Sequence, residues 1–327
     1  MKIAILGAGA WGTALATSFS GARHDVVLWT RNREDCAALG RDRASRYLPG
    51  IALPVGVRIE AELAAALSGR ELVIVATATA GLRDTLAAVR GIATPPALLW
   101  ACKGFESASR ELPHQIVAAA MPRAHQVAAL SGPSFALEVA RGQPTALVCA
   151  SHDSHFAASM ASALNSPRLR IYSSADVAGV ELGGALKNVI AIAAGISDGL
   201  ELGRNARAAL VTRGLAEITR LGVAMGGKPE TFAGLAGVGD LVLTCTGDLS
   251  RNREVGVRLA QGQGLDTALA ELGHVSEGVA SARAARDHAR ASKVEMPIAE
   301  AVCAVLFEGL APREAVQQLL ARDPRAE

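Results

Sequence analysis

Short apolar runs alternate with helical segments along the first half of the chain. The runs at residues 2–6 and 72–76 have the length of buried strands, and segments with helical patterning separate them from their neighbours. Strands that alternate with helices favour a parallel sheet covered by helices on both faces. We therefore predict an α/β fold with a doubly wound, mostly parallel sheet over residues 1–178. The expected strands cover residues 2–6, 25–30, 72–76, 97–102, 127–131 and 145–150.

The pattern changes after about Val177. Strand-like runs become scarce, and Ala-, Leu- and Gly-rich segments with helical periodicity continue to the C-terminus. We therefore predict a second, all-α domain over residues 179–327. Its expected helices cover residues 179–195, 205–222, 228–235, 254–261, 276–292, 297–307 and 312–321.

One lysine lies inside an apolar helical segment of this second half. Lys187 is surrounded by Leu, Val, Ile, Ala and Gly, and at helical spacing it shares a face with Gly183 and Ala191. A buried ammonium either finds carboxylate partners or loses its proton more easily, with a lowered pKa. Both outcomes suit catalysis. A lysine at the edge of a core instead extends its charged end to water. The segment alone leaves both interpretations open.

A glycine-rich turn follows the first strand directly and opens a helix. In Gly7-x-Gly9-x-x-Gly12 the first glycine permits a tight turn, the second admits a pyrophosphate against the backbone, and the third allows close packing of helix and strand. The anion would meet the helix N-terminus at Ala10 and Trp11. The first domain is therefore predicted to be a Rossmann-type dinucleotide-binding domain.

The residues after the second strand bear on the choice of coenzyme. Arg31 and Arg33 stand where an NAD-binding protein carries a carboxylate for the adenosine ribose, and the first carboxylate is Glu34. Two arginines favour the 2′-phosphate of NADP. NAD stays possible if Glu34 or a backbone group binds the ribose, and a surface charge is the alternative for either arginine alone.

Charge and composition exclude several classes of partner. The net charge of +2 is nearly balanced with scattered basic residues, and aromatic residues make up 3% of the chain, so we expect neither nucleic-acid binding nor insertion into a membrane. The first strand starts at Met1, which leaves no room for a leader, so we expect a cytoplasmic protein. The cysteines are widely spaced, odd in number, and indicate reduced thiols and no metal site: Cys36, Cys102, Cys149, Cys245 and Cys303.

Segments spread over most of the chain resemble the bacterial NAD(P)-dependent glycerol-3-phosphate dehydrogenases. The matching segments are residues 7–12, 100–106, 131–136, 182–188, 237–241 and 250–253. The resemblance implies reversible reduction of dihydroxyacetone phosphate to sn-glycerol 3-phosphate with NADP, or with NAD, for glycerophospholipid synthesis. It also implies a small phosphorylated three-carbon substrate and a homodimer. Two segments depart from the family pattern: 76–79 reads Ala-Thr-Ala-Thr where Val-Pro-Ser is usual, and Cys102 replaces a threonine before Lys103.

The resemblance also implies catalytic roles. Lys187 would be the general acid/base at the C2 oxygen of the substrate, with Asp240 orienting it. Lys103 would polarise the carbonyl group and touch both substrate and coenzyme. Asn188 and Thr244 would donate or relay hydrogen bonds, although either fits a polar group satisfied in the core, and Asp240 fits a helix cap.

Binding roles follow in the same way. Arg251, with Ser250 and Asn252, suits a phosphate, because a guanidinium donates two parallel hydrogen bonds and the hydroxyl and amide add selectivity. Arg253 is expected to be a surface charge. The remaining implied contacts are Gly132 and Ser134 with the substrate, and Ala136, Arg251, Val275 and Glu277 with the coenzyme.

Two other interpretations share parts of this pattern. A 3-hydroxyacid or ketopantoate-type NADP-dependent reductase would have the same two-domain architecture and a catalytic lysine, but its substrate would carry a carboxylate in place of the phosphate. A coenzyme-sensing protein without turnover would keep the dinucleotide fold alone, because a fold does not establish chemistry. A lysine paired with Asp240 argues against such a sensor.

Overall fold

The computed structural model describes residues 1–92, 97–273 and 277–323. The chain divides into two compact units. The first unit comprises Met1–Lys103 and Glu111–Val180, and the second comprises Gly104–Arg110 and Glu181–Glu327. The short segment Gly104–Arg110 therefore belongs to the second unit, although its neighbours in sequence on both sides belong to the first.

The first unit is built on one sheet, whose strand order is β3-β2-β1-β4-β5-β6-β7-β8. Every neighbouring pair is parallel except β6 and β7, which run antiparallel. The predicted mostly parallel, Rossmann-type sheet is confirmed. The strands are β1 (Lys2–Leu6), β2 (Asp25–Trp29), β3 (Arg58–Glu60), β4 (Leu72–Val75), β5 (Leu98–Trp100), β6 (Val127–Ser131), β7 (Thr145–Ala150) and β8 (Leu169–Ser174).

Helices connect these strands, and the central strands are buried as a result. Ile3, Ile5, Leu28 and Ile74 have no exposed surface, as expected for parallel strands covered on both faces. The helices are α1 (Ala10–Gly21), α2 (Arg33–Asp42), α3 (Leu63–Leu67), α4 (Leu82–Arg90), α5 (Pro113–Ala120), α6 (Ala136–Ala140) and α7 (Ser154–Leu164).

Two strands of the sheet were not predicted. β3 has only three residues and none of them is fully buried. In β8, buried Leu169 and Ile171 alternate with exposed Arg170 and Tyr172. Continuous apolar runs identify strands buried on both faces, so such a run is absent from an edge strand that meets the core with one face only.

The described residues of the second unit form helices and loops and no strand, which confirms the predicted all-α C-terminal region. Its helices are α8 (Val177–Gly199), α9 (Gly203–Ala224), α10 (Pro229–Phe232), α11 (Asp240–Thr246), α12 (Arg251–Ala260), α13 (Leu265–Leu272), α14 (Glu277–Ala291), α15 (Pro297–Phe307) and α16 (Pro312–Leu320). Helices α11 and α13 were not predicted. By length and composition α8 could cross a membrane, but 94% of its apolar window is buried inside the fold, as in a core helix.

Small residues let neighbouring backbones approach α8 closely. A Cβ atom on Gly195 would lie 1.9 Å from the carbonyl oxygen of Arg253 in α12, and one on Gly256 would lie 2.1 Å from that of Ile192. A Cβ on Gly183 would lie 2.3 Å from the carbonyl oxygen of Ala236. These contacts exclude any larger residue, and they place the segments before α11 and within α12 directly beside the helix that carries Lys187.

Candidate active site

Lys187 lies in the buried middle of α8, where its side chain meets α11. Its Nζ atom donates hydrogen bonds to Oδ1 of Asp240 and, over 2.9 Å, to Oγ1 of Thr244. The side chain of Lys187 is 8% exposed and that of Asp240 is 1% exposed. The ammonium is therefore held inside the fold by a carboxylate and does not extend to the surface as an ordinary edge lysine does.

Helical spacing brings both partners to Lys187. Asp240 and Thr244 are four residues apart on α11, so they share one face. The Thr244 hydroxyl donates to the carbonyl oxygen of Asp240 over 2.6 Å, which turns an oxygen lone pair towards the lysine. A π-helical turn, Leu235–Gly239, precedes α11 and sets its start beside α8.

Asn188, the residue after Lys187, begins a chain of amides that reaches two other helices. Nδ2 of Asn252, on α12, donates to Oδ1 of Asn188 over 2.9 Å, and Oδ1 of Asn252 accepts from the backbone N–H of Gly278 over 3.0 Å. Asn188 is 3% exposed. The two amides thus join α8, α12 and α14 next to the Lys187 cluster, by which we mean Lys187, Asp240 and Thr244.

In the first unit, a second lysine lies beyond the end of β5. Nζ of Lys103 donates to the carbonyl oxygen of Gly132 over 2.9 Å, and the Ser134 hydroxyl donates to the same oxygen over 2.9 Å. Gly132 has a φ of +131°, and a Cβ there would lie 3.2 Å from backbone atoms of Ala146 and Leu147. Glycine is thus required at the turn that gathers Lys103 and Ser134 around one carbonyl group.

The turn between β1 and α1 leaves its middle glycine open. A Cβ on Gly12 would lie 1.8 Å from the carbonyl oxygen of Gly7, whereas one on Gly9 would meet nothing within 4 Å. No side chain caps the N-terminus of α1. Two buried polar atoms near it, Nε1 of Trp11 and Oγ1 of Thr77, have no hydrogen-bond partner in the described part of the chain.

Comparison with known proteins decides the family. The model of the NAD-dependent glycerol-3-phosphate dehydrogenase N-terminus matches residues 2–157, and the model of its C-terminus matches residues 176–317. The chain belongs to the NAD-dependent glycerol-3-phosphate dehydrogenase family. Glycerol-3-phosphate dehydrogenase [NAD(P)+] of Thiobacillus denitrificans is 56% identical over 328 residues, which cover 100% of both chains.

Solved structures agree with this assignment. The crystal structure of glycerol-3-phosphate dehydrogenase from Coxiella burnetii superposes with a TM-score of 0.93 at 40% identity, over 98% of this chain and 99% of that one. A ketopantoate reductase from Ralstonia eutropha reaches a TM-score of 0.59 at 19% identity, over 97% of this chain and 100% of that one. That second likeness is one of fold alone, so the ketopantoate-type interpretation gains no support from it.

The first unit fits the dinucleotide coenzyme of this family. The open backbone at Gly9 and the uncapped N-terminus of α1 suit a pyrophosphate, which backbone N–H groups and the helix dipole would hold. Buried polar groups are normally paired, so the unpaired Trp11 and Thr77 atoms beside this turn also fit a polar ligand. Ala136, the first residue of α6, packs with Ala10 and Trp11 on a small apolar cluster next to the turn.

The two arginines after β2 have different surroundings. Arg33 pairs with Glu62 at the surface, while Arg31 is exposed and has no partner among the described residues. Asn32 between them caps α2 by accepting from the backbone N–H groups of Glu34 and Asp35, over 2.8 and 3.1 Å. Of the two candidates, Arg31 is therefore the arginine whose guanidinium is not engaged by a carboxylate.

Three candidate phosphate ligands begin α12. The hydroxyl of Ser250 caps this helix by accepting from the backbone N–H of Arg253 over 3.3 Å. Arg251, the first residue of α12, is exposed, and Asn252 joins the amide chain described above. Glu277 likewise stands at the start of a helix, α14, and Val275 lies outside the described residues.

The expectation that Arg253 is a surface charge is wrong. Its Nε donates to Oδ2 of Asp198 over 2.6 Å, and Arg207 binds the same carboxylate over 3.0 Å. The Arg253 side chain is 18% exposed. Arg253 forms a structural ion pair that ties α12 to the end of α8. Its role depends on Asp198, which is 55 residues away in sequence, so the local sequence does not indicate it.

Thr77 and Thr79 are two polar residues that sequence reasoning did not assign to the site. The Thr79 hydroxyl donates to the carbonyl oxygen of Lys103 over 2.8 Å and so fixes the backbone beneath that lysine. The signal was available: both hydroxyls follow β4 at the carboxyl edge of a parallel sheet, where ligands of such sheets bind. In the sequence, the two threonines stand out only because residues 76–79 depart from the usual family segment.

Proposed function

We propose that the protein catalyses the reversible reduction of dihydroxyacetone phosphate at C2 to sn-glycerol 3-phosphate, with NADPH as its preferred coenzyme and NADH as a possible one. The observation that carries this proposal is the buried Lys187 cluster, in a chain 56% identical over its whole length to a glycerol-3-phosphate dehydrogenase [NAD(P)+]. Burying an ammonium and its carboxylate partner costs desolvation free energy, and such groups are often found where a site carries out proton transfer.

Lys187 acts as the general acid when the carbonyl group is reduced and as the general base in the reverse direction. The proton leaves Nζ for the C2 oxygen as the alkoxide develops, and it returns to Nζ when the alcohol is oxidised. When bound, the nicotinamide coenzyme supplies or accepts the hydride at C2. Asp240 and Thr244 fix the direction of the Lys187 side chain through the hydrogen bonds that they accept from Nζ. Asn188 and Asn252 hold the neighbouring backbone and side chains in place.

Arg251 is the main phosphate ligand in this proposal. A guanidinium donates two parallel hydrogen bonds to a phosphate, and Arg251 is exposed at the N-terminal end of α12, where the helix dipole also favours an anion. Ser250 and Asn252 flank it. Lys103, with Gly132 and Ser134, forms the substrate-binding group of the first unit and polarises the carbonyl oxygen.

The main coenzyme-binding domain is assigned to residues 1–178, and the catalytic groups other than Lys103 are assigned to residues 179–327. Gly7, Gly9 and Gly12, with Ala10 and Trp11, would hold the pyrophosphate. Arg31 would bind the 2′-phosphate of NADP. Further coenzyme contacts are assigned to Lys103, Ala136, Arg251, Val275 and Glu277.

We also infer a cytoplasmic homodimer that supplies glycerophospholipid synthesis. The balanced charge and the absence of paired cysteine spacing support the cytoplasmic assignment, and the family resemblance supports the other two. Sedimentation equilibrium of the purified chain tests the dimer, and a concentration-independent monomer mass would reject it.

Steady-state kinetics test the proposed reaction. The expected result is coenzyme oxidation on addition of dihydroxyacetone phosphate, with a higher kcat/KM for NADPH than for NADH and no turnover of ketopantoate. The Arg31→Ala variant should lower the preference for NADPH and leave the NADH rate unchanged. Absence of oxidation with either coenzyme at high enzyme concentration would reject the proposal in favour of a sensor, and turnover of ketopantoate alone would favour a ketopantoate-type reductase.

A further inference from the structure

Helices α8, α9, α15 and α16 line an open cavity of about 770 Å³ within the second unit. None of the residues assigned above to coenzyme, substrate or proton transfer lines it. Its volume falls in the range of about 300–1,000 Å³ typical of small-molecule sites. Most of its lining is aliphatic and includes Ile196, Leu210, Ile298, Val302, Val316 and Leu319.

A buried hydroxyl faces this cavity without a partner. Ser197, on α8, is 5% exposed and lines the cavity, and its Oγ atom has no hydrogen bond in the described part of the chain. Leaving a buried hydroxyl unpaired costs free energy, so such groups are normally satisfied by protein, water or ligand. The unpaired oxygen offers a hydrogen bond to a polar atom of a molecule in the cavity.

One cation at the cavity has neither a counter-ion nor a hydrogen bond within the described residues. Arg213, on α9, is exposed and lines the cavity without a carboxylate partner. Helices α8 and α9 lie side by side, since Gly214 contacts Ile190 and Arg207 binds Asp198. Ser197 and Arg213 therefore approach the cavity from neighbouring helices.

The other charged groups that line the cavity differ from Arg213. Arg322 pairs with the Glu295 carboxylate over 3.5 Å, and Arg220 donates to the Glu295 carbonyl oxygen over 3.1 Å. The Glu217 carboxylate accepts from the backbone N–H groups of Ile298 and Ala299, over 2.7 and 3.2 Å. Asp323 completes the set. Arg220 also lacks an ion pair among the described residues, but its guanidinium is held by a carbonyl group, so Arg213 is the cation with neither a hydrogen bond nor an ion pair there.

We propose that this cavity binds an anionic amphiphile with a single hydrocarbon chain and a carboxylate head. The chain would lie among the aliphatic side chains of α15 and α16, and burial of its apolar surface would supply most of the affinity. The head would accept hydrogen bonds from the Ser197 hydroxyl and the Arg213 guanidinium. The exposed rim residues Leu202 and Leu320, 40% and 80% exposed, would cover the part of the chain nearest the mouth.

Calorimetric titration with dodecanoate, below its micellar concentration and without coenzyme or substrate, tests this site. We expect saturable binding with one dodecanoate per chain, and binding of dodecanol weaker by about tenfold, since a hydrogen bond to a charged group contributes that much. Ser197→Ala and Arg213→Gln should each weaken dodecanoate binding severalfold. Arg204→Gln, an exposed arginine of α9 that does not line the cavity, should leave it unchanged.

A matched pair of variants at the mouth tests the location. Ala208 and Ala209 are adjacent exposed residues of α9, and only Ala209 lines the cavity. Ala209→Trp should abolish dodecanoate binding, while Ala208→Trp should retain it, and both should keep the wild-type circular dichroism. Equal binding by both variants, or tighter binding of dodecanol than of dodecanoate, would overturn the proposal.

A second copy of the chain is the competing occupant of this face. If dodecanoate does not bind and Ala209→Trp, but not Ala208→Trp, converts a dimer to a monomer in sedimentation, the cavity belongs to a subunit interface and the proposal is overturned. Because these measurements involve no coenzyme and no turnover, their failure leaves the proposed reduction of dihydroxyacetone phosphate unaffected.

Discussion

The glycine turn of the first unit and the Lys187 cluster of the second are built in opposite ways. The turn uses backbone groups of residues 7–12, and what matters there is the absence of side chains. The cluster uses buried side chains, and Asp240 and Thr244 lie 53 and 57 residues after Lys187 in sequence. Backbone sites of this kind are local and open to solvent, whereas a buried ion pair requires every partner, because a lone buried charge is strongly destabilising. The following predictions test this difference.

Among variants outside the Lys187 cluster, the largest effect is expected at Arg251. Arg251→Ala should raise the KM for dihydroxyacetone phosphate by about 10- to 100-fold, the equivalent of a hydrogen bond to a charged group, and should leave the free energy of unfolding unchanged because Arg251 is exposed. Arg253→Ala is the contrasting variant: it leaves Asp198 less well paired and should lower the free energy of unfolding. Steady-state kinetics and urea unfolding of both variants measure this. An unchanged KM in Arg251→Ala would contradict the phosphate assignment.

In the first unit, two glycines of the turn should respond differently to alanine. Gly12→Ala should lower the free energy of unfolding by about 1–3 kcal/mol or more, because its Cβ would collide with the Gly7 carbonyl oxygen. Gly9→Ala has room for its Cβ and should lower stability by less, about 0.5–1 kcal/mol, the difference between glycine and alanine at an N-cap. Its main effect should instead be a Kd for NADPH raised by about tenfold. Equal stability of the two variants would show that the turn is not as tight as described.

The second unit should show a pH-dependent stability that comes from one buried carboxyl group, that of Glu217. Burial raises the pKa of the Glu217 carboxyl from 4.5 to about 7, outweighing the backbone N–H groups and the nearby Arg220 and Arg322 that lower it. The folded state therefore binds a proton that the unfolded state has released. This stabilisation is complete below pH 4.5 and is lost as the pH rises through about 7.

Glu217→Gln isolates this contribution. Relative to the variant, the wild type should lose about 2–3 kcal/mol of unfolding free energy between about pH 5 and pH 8, measured by urea titration at each pH. Glu314→Gln, at an exposed position of α16, should track the wild type. A parallel pH dependence in wild type and Glu217→Gln would contradict the assignment.

The smallest effect concerns thiol reactivity. Burial raises the pKa of Cys245, next to Thr244 on α11, to about 12, and it does the same for Cys149 in β7 of the first unit. Both thiols should resist iodoacetamide at neutral pH, whereas half-buried Cys36 should be alkylated first. Peptide mass spectrometry after timed alkylation measures this. Early labelling of Cys245 but not of Cys149 would show that the Lys187 cluster opens more readily than the sheet.

How much the sequence predicted also differs between the two units. The strands of the first unit were predicted wherever both faces are buried, and edge strands β3 and β8 were not, because only part of their surface meets the core. The glycine turn was predicted from its spacing and from its place between an apolar strand and a helix. Residues that act through their own backbone need no distant partner to be recognised.

Sequence patterns could not predict which side chains form ion pairs and hydrogen bonds with each other in the second unit. The apolar neighbours of Lys187 left both a buried lysine and an edge lysine open, and Asp240 was assigned to it only through the family resemblance. Arg253 was assigned wrongly, because nothing in its own segment indicates that Asp198 lies 2.6 Å away in the fold. Unpaired Ser197 and the cavity that it lines also depend on four helices meeting, which no local pattern records.

Lys187→Met tests the central claim most directly, with NADPH binding and single-turnover oxidation of bound NADPH by dihydroxyacetone phosphate measured on the same preparation. Lys187→Met/Asp240→Asn serves as the control, because it removes the carboxylate left unpaired in the single variant. The account predicts an unchanged Kd for NADPH and a rate of hydride transfer lower by about 100- to 10,000-fold, the usual contribution of a general acid. A near-normal rate in the folded variant would contradict it and would return Lys187 to a structural role.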